Sequence, residues 1–95
     1  MFPGLTTKLS ESAFASATTI FPKTDLVRLT GTTAIATIRP NFGGGFGGIL
    51  VIVPTADTAT VTTGNIAIAV TMPANRATVL VFSKLTGTWY PGAIS

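Results

Sequence analysis

Three groups of residues in this chain have types and spacing that chemistry uses. The run Gly43-Gly44-Gly45-Phe46-Gly47-Gly48 contains a formal G-x-G-x-x-G. That pattern cradles a pyrophosphate when a strand precedes it and a helix N-terminus follows. Here the next segment is Ile49-Leu50-Val51-Ile52-Val53, closed by Pro54, and it reads as a strand. With no helix there are no free N–H groups for a phosphate, so the run reads as a bent glycine loop carrying Phe42 and Phe46. Asp25 and Asp57 form the second group. Two acids could cleave a glycosidic bond if held about 5–9.5 Å apart, but Lys23-Thr24-Asp25 and Thr55-Ala56-Asp57 read as turns, where Asp side chains accept backbone N–H bonds. The third is Ser83-Lys84, adjacent in sequence where a serine nucleophile needs Ser-x-x-Lys or G-x-S-x-G.

Composition closes the remaining routes. The 95 residues include no His and no Cys, so imidazole bases, thiolate nucleophiles, zinc clusters and disulfides have no donors. The expectation is a non-enzyme with no cofactor and no metal. Length allows one domain. Hydrophobic residues make up 46% and charged residues 9%, against about 25% charged in a usual soluble domain, and the mean hydropathy is +0.59. Disorder is excluded by that balance. The net charge of +3 rests on six cations, Lys8, Lys23, Arg28, Arg39, Arg76 and Lys84. They are scattered rather than striped, so no nucleic-acid partner is expected. The longest aliphatic run is five residues, Ile49 to Val53, far below the roughly 20 that a spanning helix needs. Met1 to Ile20 lacks the charged and apolar regions of a secretory signal. The lack of Cys suits assembly in a reducing cytoplasm.

The elements that must position these residues fall into two zones. Residues 1–20 are rich in Ser, Thr and Ala with spaced apolar anchors. They read as an extended N-terminal arm that orders on a neighbouring subunit, with a helical turn near residues 8–17. Residues 21–95 read as an all-β domain, a small antiparallel β-sandwich or jelly-roll-like module. The 18 Thr, with Val and Ile, supply the β-branched side chains that favour pleated surfaces. Seven strands are expected at Leu26–Thr30, Thr33–Ile38, Ile49–Val53, Thr58–Thr62, Ile66–Thr71, Thr78–Ser83 and Gly87–Tyr90, each bounded by turn residues.

Alternation assigns faces. Thr58, Thr60 and Thr62 should share a wet face opposite Ala59 and Val61, and Ile66–Val70 should put large residues on one side and alanines on the other. Ile49–Val53 and Thr78–Phe82 are apolar on both faces, so they need a second covering layer that a partner subunit would supply. Thr63-Gly64-Asn65-Ile66 reads as a turn using positive φ. Trp89 reads either as a sugar-stacking platform or as a seal on the open end of the sandwich.

The order of a glycine-rich loop, the strand Gly48–Pro54, the Thr63–Ile66 turn, the strand Val79–Phe82 and a closing Trp89-Tyr90 resembles small β-domains of tailed-bacteriophage virions. These include fibre and spike modules and stand-alone capsid decoration (cement) proteins. The resemblance covers residues 26–90 and matches no site residue by residue. It implies a homotrimer on the capsid surface that binds the major capsid protein and stabilises the shell. The chain lacks a shaft or coiled coil ahead of the β-domain, which favours decoration over a fibre tip. The competing expectation is a fibre tip or carbohydrate-binding module using Trp89 and Tyr90. The expected partner-binding residues are the apolar anchors Phe2, Leu5, Leu9 and Phe14 of the arm, with Phe42 and Phe46 of the glycine loop.

Overall fold

Nine strands run through residues 10–39 and 47–94, the residues that the computed structural model of the chain describes. They are β1 (Glu11–Ala15), β2 (Thr19–Ile20), β3 (Leu26–Thr30), β4 (Thr37–Ile38), β5 (Gly48–Pro54), β6 (Thr58–Ala59), β7 (Thr71–Met72), β8 (Thr78–Ser83) and β9 (Thr88–Ile94). The domain is all-β, and no helix occurs among the described residues. A five-stranded sheet, in the order β1-β3-β5-β8-β9, is joined by two small sheets, β2-β4 and β6-β7.

The sheet is mixed rather than wholly antiparallel. β5, β8 and β9 pair antiparallel, the direction expected for the whole domain. β1, β3 and β5 pair parallel, and so do β2 and β4. Parallel neighbours need a crossover, usually a helix. Here the crossovers are β2 and β4, so the chain makes two turns of a coil before folding back. Single-strand patterns do not report pairing direction, which is why the coil was not foreseen.

Residues 11–20 do not form a free arm. β1 hydrogen-bonds along β3 in register Glu11↔Leu26 to Ala15↔Thr30, and Ile20 is buried in the core. The expected helical turn is therefore strand, and the domain boundary at residue 20 does not hold. Its alternating burial, with Ser12 and Phe14 inward and Glu11, Ala13 and Ala15 outward, is the period-2 signature of a half-buried strand.

The core collects the inner face of the large sheet (Val27, Leu29, Leu50, Ile52, Leu80, Trp89) and the elements across it (Ile20, Ile35, Ile38, Ile66, Met72). The 58–62 segment is turned over relative to expectation. Thr58 and Thr60 are buried, while Ala59 and Val61 are half-buried. Their hydroxyls are satisfied by backbone: Thr58 Oγ1 donates to the Ala56 carbonyl at 2.9 Å, and Thr60 Oγ1 accepts from the Val70 N–H at 2.9 Å. A buried hydroxyl with a backbone partner loses little, so the threonines take the inner side. Ile66 to Val70 is likewise not one strand; Ile66 is buried in an isolated bridge to Trp89 and Ile68 is exposed.

Asn65 replaces a strand with a side chain. Its Nδ2 donates to the Ile38 carbonyl at 2.7 Å and its Oδ1 accepts from the Ile38 N–H at 2.8 Å. One amide thus continues the β2-β4 ladder. Gly64 precedes it because a Cβ there would overlap the Ala36 carbonyl and the Thr37 hydroxyl. The need is for space, not for positive φ, which the described residues show only at Gly31, Asn75 and Gly87.

Thr78 is the exception among the buried hydroxyls. It is fully buried on β8, and its Oγ1 has no hydrogen-bond partner. Desolvating a hydroxyl without compensation costs about 1–3 kcal/mol. Thr78→Val should therefore raise stability by about 1 kcal/mol, read as a higher urea midpoint with an unchanged slope. A lower midpoint would show that the hydroxyl has a role the fold does not reveal.

Candidate functional site

The large sheet has two faces, and the described residues cover only one. On the outer side, register places Glu11, Leu26, Val51 and Val79 in one row. Ala13, Arg28 and Val53 make a second row, and Ile49, Val81 and Tyr90 a third. Seven of these ten side chains are large and apolar or aromatic. Ile49 is 58% exposed, Val81 44% and Tyr90 39%, while Leu26, Val51, Val53 and Val79 are half-buried. A sheet face that met only water would alternate to polar residues. The central strand β5 does not alternate: Leu50 and Ile52 enter the core, and Ile49, Val51 and Val53 point out. The two-faced strand read from the sequence is thus present, with no second layer from the described residues.

A groove of about 410 Å³ is lined by Asp25, Gly48, Ile49 and Val51. The Asp25 carboxylate at its lip accepts from Ser10 Oγ at 3.3 Å, and the Asp25 N–H donates to the same oxygen at 3.2 Å. Asp57 accepts from the Ala74 N–H at 2.8 Å. Asp25 precedes β3 and Asp57 follows its parallel neighbour β5, so they stand at opposite ends of the sheet, separated by roughly 17 Å of strand. Each acid serves a turn or loop, and the pair cannot act on one bond. Among the described residues no three His, Cys, Asp or Glu gather to hold a metal ion, and no helix is long and apolar enough to cross a membrane. The glycine run ends in β5, a strand, which removes the phosphate-loop geometry.

The expected anchors fare differently. Phe2, Leu5, Leu9, Phe42 and Phe46 lie outside the described residues. Phe14 lies on the inner side of β1, half-buried, and packs against the core of its own domain. Trp89 is 1% exposed. Its Nε1–H donates to the Ile38 carbonyl at 3.0 Å, and its ring meets Phe82 at 5.1 Å between centroids. It seals the core and offers no sugar a platform; Tyr90, one residue on, faces out with its hydroxyl on Thr86 Oγ1 at 3.0 Å. Val79 and Val81 belong to the strand read from the sequence as apolar on both faces; Leu26 was missed as a surface residue, although it sits one residue from the inward Val27 and so has the opposite phase. Comparison with known proteins finds no matching family model, no matching curated protein and no matching solved structure.

Proposed function

We propose that the chain is a structural virion protein, a capsid decoration (cement) subunit that binds the major capsid protein as a homotrimer at the virion surface and has no catalytic role. The observation that carries this reading is the outer face of the five-stranded sheet, which the described residues leave uncovered, with Ile49, Val51, Val53, Val79 and Val81 turned away from the core. Burying apolar surface contributes about 25 cal/mol per Å², so such a face is a resource for assembly and a liability alone. The titratable groups support the same reading. Asp25 and Asp57 hold turns, and among the described residues no constellation pairs a nucleophile with a base. A carbohydrate-binding module is less well supported, because Trp89 is committed to the core.

Immunogold labelling of intact virions with antibody to the purified chain tests the assignment. Regular label over the capsid shell is expected. Label confined to a tail tip would favour a fibre module, and virions without label would overturn the structural reading.

A further inference from the structure

The five-stranded sheet has two edges, and only one of them is guarded. β9 contains Pro91, and its register with β8 shifts between Thr78 and Leu80. The 65–67 segment bonds its far side, with the Trp89 N–H donating to the Asn65 carbonyl at 2.8 Å and the Ala67 N–H to the Trp89 carbonyl at 2.9 Å. Proline, irregular register and a covering segment are the devices that block further strand pairing. β1, at the other edge, has none of them. It runs in unbroken register with β3 over all five residues, without proline or lysine. The Ser10 carbonyl and the Ser16 N–H bond to β3, and alternate residues of a strand turn their backbone groups the same way. Ser12 and Phe14 therefore share that side, and the N–H and C=O groups of Glu11, Ala13 and Ala15 point to the open edge. Among the described residues nothing pairs with them.

The coil and the strand's own sequence specify a second copy as the occupant. β1 and β2 form the first turn of the coil, and β3 and β4 the second. The far end is closed by β8 on β5 and by the Asn65 amide on Ile38, so copies cannot stack head to tail. Two open ends can meet only across a two-fold axis, which runs the β1 strands antiparallel. In that direction the strand is self-complementary about Ala13. Glu11 faces Ala15 of the second copy, where parallel pairing would set Glu11 on Glu11. Ser12 faces Phe14, whose half-buried ring gains cover. The two Arg28 side chains lie three strand spacings apart, about 14 Å and beyond the Debye length. We infer that β1 is a self-pairing edge, which joins two copies antiparallel about Ala13 into one continuous sheet through about six main-chain hydrogen bonds. A two-fold join cannot close a trimer, so this contact goes beyond the reading above and links one assembly to the next.

Single cysteines test the register, since the chain has none of its own. Hydrogen-bonded antiparallel pairs hold their Cα atoms about 5.5 Å apart, within the span of about 4.4–6.8 Å that a disulfide bridges. Ala13→Cys, mildly oxidised and run on a denaturing gel without reductant, should give a band at twice the 9.7 kDa protomer mass. Ala15→Cys is the matched control, exposed on the same face of the same strand. Its two copies would lie about 13 Å apart along the join, so it should cross-link at least tenfold more slowly. Mixing Glu11→Cys with Ala15→Cys should restore the fast rate, a result that decides the matter even if Ala13→Cys fails to fold. Equal rates at Ala13 and Ala15, or no fast cross-link in any arm, would overturn the pairing and leave the edge to another strand. The gel dissolves noncovalent assemblies, so the bands report this join alone. A trimer that lacks the Ala13 cross-link would sink this inference and leave the reading above standing.

Discussion

Trp89→Ala should cost about 4 kcal/mol of folding stability, the scale of aromatic truncations in a closed core. The indole is buried where β9 meets β8 and packs on Phe82, so its removal leaves a cavity between two layers that cannot both collapse into it. Its N–H also holds the Ile38 carbonyl of β4, which ties the last strand to the opposite layer. Total stability for a domain of this size is about 5–15 kcal/mol, so the variant should unfold at low urea. Trp89→Phe should lose far less. It keeps a ring against Phe82, and Ile38 retains its bond from Asn65. Equal losses for the two variants, measured by circular dichroism in urea, would place the energy in the hydrogen bond and not in the packing.

Gly64→Ala should be nearly as damaging, at about 3 kcal/mol. The added methyl would sit on the Ala36 carbonyl and Thr37 hydroxyl, atoms of a β4 segment fixed on its other side by β2. Relief requires the 63–65 backbone to retreat, which draws the Asn65 amide off both polar groups of Ile38. Overpacking of this kind costs about 1–3 kcal/mol and each lost bond about 1 kcal/mol. Gly87→Ala is the comparison. At Gly87 a methyl meets nothing, but φ is +65°, so only backbone strain of about 1–2 kcal/mol applies. If Gly64→Ala is no worse than Gly87→Ala in denaturant midpoint, the close approach at Gly64 is not the constraint.

Much of the architecture was legible because period-2 patterning is local. The strands at Leu26–Thr30, Thr78–Ser83 and within Ile49–Val53 occur where alternation and turn residues place them, and the double-sided apolarity of β5 marked the uncovered face in advance. What failed depended on partners distant in sequence. Thr58 and Thr60 look like a wet face until the Ala56 and Val70 backbone groups that satisfy them are known. Glu11 to Ala15 looks like an arm because Ser and Ala pack weakly; β3, fifteen residues on, makes it a strand. Asn65 reads as a turn residue, since nothing local shows an amide pairing with Ile38. Parallel pairing was invisible for the same reason, because strand direction is a property of the pair.

The coil formed by β1, β3 and β5 has a kinetic consequence. In the large sheet only the β8–β9 hairpin joins strands separated by a single tight turn. Leu26 must find Glu11 fifteen residues back, and Val51 must find Leu26 twenty-five back, so contact order is high. Loop closure has to be completed before those pairings return any energy, and β-rich domains of this kind fold in about milliseconds to seconds. During that interval the hairpin and β5 would display apolar side chains on both sides with an edge still unpaired. Such species aggregate at high concentration. Yield on refolding should therefore fall as concentration rises, even though in the finished protomer β5 is paired on both sides. Burial of the outer face after folding would slow the reverse reaction, giving a protein whose persistence is governed by its unfolding rate more than by its equilibrium stability.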